Sequence, residues 1–406
     1  MTIAASIQTD DAQARWNTGL LAMCQMLGGI SATVVITLGG IIGLGLADNP
    51  ALATLPVTAF VVGQALMTLP AGFLMKQVGR KAGFMFGVTL SMSGGLVAAY
   101  ALALAHFWLF LTGCMIIGAS YAFVQFYRFA AADMASPAFK PKAISWVLIG
   151  GLAAAVLGPQ TIIFTQDWVE AIPFIGSFLA LSGAGIITLM VLSLLRTPPP
   201  VKSSDVVDTG RPLREIASQK LFIVSVGCGL TSYALMSFVM TAAPIAMLQC
   251  NYGVADAALA IQWHAVAMFA PSFFTGHLIS RFGEKRVIAT GLTLLAGCAV
   301  VALNGISIPH FWGALILLGI GWNFGFVGAT TLVTKCYTDA ERNKTQALND
   351  FLVFGGMAVA SFLSGKIMAT IGWDAVNIAV FPFVVIALAL LLLLARNDIP
   401  TAAPTR

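Results

Sequence analysis

Residues 233–240 read YALMSFVM and residues 263–268 read WHAVAM. Met236 and Met240 are four apart, as are His264 and Met268, so each pair stacks on one face of a helix. Thioether sulfur is a soft, neutral ligand that favours Cu(I), and imidazole also suits copper. Thioethers bind without losing a proton, and no carboxylate enters the set. The chemistry this indicates is transient binding of a soft monovalent ion rather than Mg²⁺ or Ca²⁺. Passage requires binding weak enough to release the ion. At 100° per residue, Cys228, Met236, Met240, Met247 and Cys250 fall within about 80° of Met236. This extends the stripe, with Met247 and Cys250 receiving the ion outside and Cys228 inside. Met pairs in apolar helices also arise from packing, whereas a membrane-embedded His is expensive and marks function.

The elements that must hold these donors are membrane spans. The chain has 406 residues, of which 59% are hydrophobic and 9% charged, with a mean hydropathy of +0.91. A soluble domain carries about 25% charged residues, so water is the wrong solvent for this chain and a lipid bilayer the right one. A spanning helix needs about 20 apolar residues. Twelve such runs occur, near 20–46, 51–75, 82–104, 107–131, 143–165, 171–195, 220–247, 256–280, 287–307, 311–334, 345–370 and 374–395. At about 1.5 Å per residue, Met236 and Met268 lie near mid-bilayer, with Met240 and His264 roughly 6–9 Å nearer the outer face. Two rungs across the seventh and eighth helices are expected.

Residues 1–15 form a polar tail with no basic stretch before a short apolar core, so no cleaved signal peptide is expected. Of the 21 Lys and Arg, 19 fall in the N-terminal tail, in alternate loops, or after the last run. By the positive-inside rule both termini are cytoplasmic. The net charge of +5 is thus topological, and no nucleic-acid partner is implied. The six cysteines are scattered and do not read as a disulfide framework. Residues 196–219 are polar and rich in Pro and Ser, a linker between six-helix bundles at 16–195 and 220–395, with a tail at 396–406. The halves repeat at an offset of 204 residues. GFLMKQVGRKAGFMFGVTL at 72–90 aligns with GHLISRFGEKRVIATGLTL at 276–294, HFW at 106–108 with HFW at 310–312, and Ala143 with Ala347. Parallel halves around a central pathway are a transporter plan.

The loop GFLMKQVGRK resembles the loop motif of the major facilitator superfamily through Gly72, Gly79, Arg80 and Lys81, while Lys76 and Gln77 replace the family's Asp and Arg. AADMASPAFKPKA, which contains Asp133, and TDAERNKTQA resemble two further loops of that superfamily. The resemblance implies an all-α fold of 12 transmembrane helices in two pseudo-symmetric halves. Met236, Met240, His264 and Met268 also match the M-x-x-x-M and H-x-x-x-M pairs of CcoA-type copper importers. That resemblance implies copper import across the bacterial inner membrane, supplying cbb3-type cytochrome c oxidase assembly. The cargo would be Cu(I) or a small copper complex. A downstream copper chaperone, no permanent cofactor and a monomer go with this reading. Met240 and His264 would load from the periplasm, and Met236 and Met268 would share the ion at midplane during alternating access.

Tyr121, Gln125 and Arg128 share one face of the fourth helix and suit a cavity wall or inner gate. Asp350, beside Asn349 in the eleventh helix, is an intramembrane carboxylate that could pair with Arg128 or carry a coupling proton. Trp322 and Asn323 of the tenth helix could line the cavity but read first as core packing, and Lys366 reads as a snorkelling cation. No Walker loop, Ser/His/Asp set or zinc spacing occurs, so no enzyme is expected. Two alternatives stand beside copper import. One is a carrier of a small organic solute such as a flavin. The other is a non-transporting membrane copper receptor.

Overall fold

The computed structural model describes residues 11–136, 139–197, 210–338 and 341–396, and every regular element among them is helical. Hydrocarbon offers the backbone no hydrogen-bond partners, and a helix satisfies each amide within its own segment. Eleven helices are long and apolar enough to cross a bilayer, and one bent helix pair supplies a twelfth span. The fold is therefore the all-α, twelve-span architecture that the apolar runs predict. The polar tail before residue 11, linker residues 198–209 and the tail after 396 lie outside the described residues.

Two compact units form, Met1–Ala47 with Leu55–Ser204, and Asp48–Thr54 with Asp205–Arg406. Unit one holds α1 (Asp11–Leu46), α2 (Leu55–Val78), α3 (Arg80–Ala103), α4 (Phe107–Val124), α5 (Tyr127–Asp133), α6 (Lys140–Thr165) and α7 (Ile175–Ser193). Its principal contacts are α1 with α6, α2 with α4, and α3 with both α4 and α7. Its core places Phe84 against Tyr127, with ring centroids 4.7 Å apart and edge to face, and buries Leu21 and Phe123 around them. At the end of its last span, Asn17 donates to the Arg196 carbonyl at 2.7 Å and accepts the Arg196 amide at 3.1 Å.

Unit two holds α8 (Leu213–Ala217), α9 (Lys220–Gln249), α10 (Val254–Phe269), α11 (Ser272–Phe282), α12 (Glu284–Leu303), α13 (Ile308–Val333), α14 (Arg342–Thr370), α15 (Trp373–Ile378) and α16 (Val380–Arg396). The same pairings recur: α9 with α14, α10 with α13, and α12 with α13 and α16. The segment Asp48–Thr54 packs on α14, where the Thr54 hydroxyl donates to the Ser361 carbonyl at 3.1 Å.

The repeat appears in the backbone as well. Gly79 (φ 88°, ψ 160°) precedes α3 and Gly283 (φ 81°, ψ 154°) precedes α12. Only glycine enters this region without strain, so the turn between second and third spans fixes the residue in both units.

One span departs from expectation. The uninterrupted apolar run at 256–280 is broken, with α10 and α11 meeting at 42°. Pro271 has no N–H, and its ring displaces the carbonyl one turn earlier. Asn323 of α13 repairs the break. Its Nδ2 donates to the Met268 carbonyl at 2.8 Å and to Ser272 Oγ at 2.7 Å, while its Oδ1 accepts from Thr275 Oγ1 at 2.6 Å. Asn323 is thus a staple across the break, a role that its reading as plain core packing did not contain.

Candidate functional site

The four soft donors lie on two helices, α9 and α10, that both pack against α13. Met236 and Met240 lie buried on α9, whose main partners are α13 and α14. His264 is fully buried on α10, and its Nδ1 lies 2.8 Å from the Leu315 carbonyl of α13. A nitrogen facing a carbonyl must carry the proton, so Nε2 presents a lone pair. That Nε2 is buried and has no hydrogen-bond partner among the described residues. Met268 is half-buried at the end of α10, its carbonyl held by Asn323. Cys228 turns toward α16, with Sγ 3.9 Å from the Ala387 carbonyl. Met247 is fully buried, and Cys250 caps α9. Of the α9 stripe, Cys228 faces α16, while His264 on the neighbouring α10 meets α13.

In unit one, the fourth span runs from Phe107 to Asp133 with one break in its helical hydrogen bonding. A turn at Gln125 and Phe126 separates α4 from α5, and the Phe126 amide reaches the Phe123 carbonyl at 3.0 Å, one residue short of α-helical spacing. Tyr121 lies before this turn with its ring 5.6 Å from Phe60, and Arg128 lies after it, over the Phe129 ring at 4.8 Å. Arg80, beside Gly79, bridges to Asp133 at the end of α5. Lys81 donates to the Ser193 carbonyl at 2.6 Å, a cation at the negative end of α7. Gly72 lies on α2 with space for a Cβ beside Phe126. In unit two, Asp350 accepts from its neighbour Asn349 at 3.0 Å.

The densest chemistry in unit two is aromatic. Tyr233 of α9 lies edge-on to three rings: Phe326 at 5.0 Å, Trp322 at 5.3 Å and Phe354 of α14 at 5.7 Å. Trp322 and Phe326, one turn apart on α13, stack at 5.2 Å with 18° between their planes. Trp322 is buried, and its Nε1–H has no acceptor among the described residues. Tyr233, Phe326 and Phe354 are half-buried, so ring surface remains open. All four sit near the middle of their spans.

Sequence reasoning singled out Trp322 but not its three ring partners, and a signal for them existed. At the 204-residue offset, Tyr233, Trp322, Phe326 and Phe354 fall on Gly29, Gly118, Ala122 and Gly150. In unit one those positions close helix pairs. A Cβ at Gly118 would overlap the Phe60 carbonyl, and one at Gly150 the Ala22 carbonyl. A repeat that changes three glycines and an alanine into aromatic residues marks where the halves stop doing the same job.

At one end of unit two, Arg211 forks onto Glu341. Its Nε donates to Oε1 and an Nη to Oε2, both at 2.8 Å. The backbone amides of Arg211 and Thr338 also donate to this carboxylate, at 2.8 and 3.0 Å. The guanidinium first, then the Thr338 amide, hold the buried Glu341 carboxyl well below the usual carboxylate range. The anchor ties the segment leading into α9 to the start of α14.

The twelve-span repeat with a loop turn and basic cluster in each half defines a class, the membrane transporters built from two six-span units. The model of the Major Facilitator Superfamily matches residues 21–261 and 225–406, and the chain belongs to that family. It is 50% identical over 386 residues to the riboflavin transporter RfnT of Brucella anthropi, covering 95% of this chain and 97% of the relative. It is 29% identical over 380 residues to the uncharacterised transporter YddS of Bacillus subtilis, covering 89% and 86%. Among solved structures, a bacterial homologue of the lysosomal transporter Spinster superposes with a TM-score of 0.72 at 16% identity, over 95% of this chain and 97% of that one. The nucleoside transporter NupG gives 0.68 at 15% identity, over 94% and 99%. These two show the fold alone.

The relative at 50% identity overturns the copper reading. Copper import for oxidase assembly, a Cu(I) ion or copper complex as ligand, and a copper chaperone as partner are corrected on that ground. The physical reason for the misreading lies in spacing. Four-residue spacing fixes which residues share one helix's face, and leaves open which neighbour that face meets. His264 meets α13 through Nδ1, and Cys228 faces α16.

Proposed function

We propose that this protein carries riboflavin, or a flavin closely like it, across a bacterial inner membrane by alternating access of its two units. The observation that carries the reading is the 50% identity, over nearly the full length of both chains, to a riboflavin transporter. A neutral heteroaromatic cargo also suits the half-open aromatic surface of unit two. The Lys and Arg distribution supports termini on the cytoplasmic side. Riboflavin in the medium is the substrate, and the cell interior receives it unmodified.

The test is growth and uptake in a riboflavin-auxotrophic bacterium without its own importer. Cells expressing the protein should grow on low riboflavin and accumulate labelled riboflavin, and vector-only cells should do neither. Protein present in the membrane with uptake at the vector level contradicts the reading.

A further inference from the structure

Four aromatic side chains from three spans converge at mid-depth in unit two, and we infer that Tyr233, Trp322, Phe326 and Phe354 form the subsite that stacks the cargo's tricyclic ring. This inference rests on the flavin-carrier reading above and locates the part of the cargo that the protein grips.

The geometry is that of a box with an open side. Trp322 and Phe326 lie nearly parallel, 18° apart, and Tyr233 stands at 84° and 86° to them. Phe354 stands at 78° to Tyr233 from a third helix. Two perpendicular ring orientations at 5.0–5.7 Å offer a planar guest both face and edge contacts. Three of the four rings remain half-buried, so the box is not consumed by its own packing. The four ring side chains carry no formal charge, which suits a neutral ring better than a phosphorylated one.

Two further observations set the quartet apart from ordinary core. The Trp322 indole N–H is buried without an acceptor among the described residues, as are those of Trp312 and Trp373, but those two sit in the first turns of α13 and α15 whereas Trp322 lies at mid-span. Proteins seldom leave such a donor unmet, and a flavin ring presents carbonyl oxygens and imine nitrogens along its edge. The repeat supplies the second. The corresponding positions of unit one are Gly29, Gly118, Ala122 and Gly150, where small residues bring helices into contact. The scaffold therefore closes without aromatic residues here, and unit two accommodates four of them with exposed ring surface left over.

The test uses the purified full-length protein in lipid nanodiscs and riboflavin fluorescence, since stacking on Trp or Tyr quenches flavin emission. Wild type should quench it on binding. Lumichrome, the ring without its ribityl chain, should compete, and ribitol should not. Tyr233→Leu and Phe326→Leu should each weaken binding about tenfold, the range for removing one stacking partner, while Tyr233→Phe binds as wild type does. Wild-type affinity in both Leu variants, or competition by ribitol equal to that by lumichrome, overturns the subsite and leaves the carrier reading standing. The competition needs no variant, so a variant that misfolds does not shield the inference. Neither binding nor uptake of riboflavin by wild type overturns both.

Discussion

In unit one, Arg80 at the start of α3 pairs with Asp133, and in unit two, Glu284 at the start of α12 pairs with Lys335 at 2.7 Å. A bridge recurs at this turn with its charges exchanged, its far partner set two positions earlier in unit two, where Lys335 aligns with Ala131 rather than with Asp133. The next residue keeps its sign in both units: Lys81 donates to the Ser193 carbonyl and Lys285 to the Leu394 carbonyl, each at the end of the unit's last span. At mid-depth the units part. Gly118 and Gly150 close unit one backbone to backbone, whereas Trp322 and Phe354 hold unit two's helices around a ring cluster. The second span of unit one runs continuously through Pro70, whereas the eighth span bends at Pro271. Loop devices depend on charge and turn geometry, which a duplicated scaffold can keep or mirror. Residues that touch a cargo must suit the cargo, and one half can diverge there while the other keeps the helices together.

The largest effect should come from forcing one half to copy the other. Gly118→Trp places an indole where even a Cβ meets the Phe60 carbonyl, and should destabilise unit one by more than about 3 kcal/mol. Size-exclusion thermostability in detergent reads this. A Gly118→Trp protein melting like wild type would show that the two positions are not structural opposites.

Next comes the staple at the break in span eight. Asn323→Leu frees the Met268 carbonyl and removes the Asn323 partner of Ser272, while Thr275 keeps its bond to the Pro271 carbonyl, and should cost about 1–3 kcal/mol. Pro271→Ala restores a backbone donor, so Asn323→Leu should be milder in that background. Equal losses in both backgrounds would separate the asparagine from the break.

Glu341 gives a pH-dependent test. Its folded carboxyl lies below its unfolded value of about 4.3, so its contribution is complete above that value and falls away only at more acid pH. Arg211 and Thr338 amide protection in hydrogen exchange should hold from neutral pH down to about 5. Glu341→Gln should lower that protection throughout the range. Protection lost already near pH 6 would contradict the anchor.

The smallest effect belongs to the mirrored bridges. Arg80 and Asp133 are 33% and 56% exposed, so Arg80→Glu should cost no more than about 1 kcal/mol, and Arg80→Glu with Asp133→Arg should recover it. Failure of the double exchange to recover would mean that the two units' bridges are not equivalent.

Much of this was legible in the sequence because hydrocarbon leaves few choices. Apolar runs fix spans, and the offset that aligns HFW at 106–108 with HFW at 310–312 fixes the repeat. Gly79 and Gly283 fall at the same place in the repeat, though their positive φ is seen only in the structure. The break at Pro271 was visible as a proline, yet membrane helices carry many prolines unbroken, as Pro70 and Pro244 do here. Its repair depends on Asn323, 52 positions along the chain from Pro271, a tertiary fact that no local pattern holds. The cargo was misread for a related reason. Met236, Met240, His264 and Met268 satisfy a spacing rule, and such a rule records a single helix's face. The aromatic quartet obeys no spacing rule across three helices, and stands out only when one half of the chain is laid on the other.

The measurement that bears most directly on this assignment is riboflavin uptake by two sets of variants at matched expression. One set carries Tyr233→Leu or Phe326→Leu, and the other carries Met236→Leu or Met240→Leu, near volume-conserving changes in buried positions. The expected result is uptake strongly reduced in the first set and close to wild type in the second. Uptake lost with the methionines and kept without the aromatic rings would contradict the assignment and return the cargo to the sulfur-bearing face of α9.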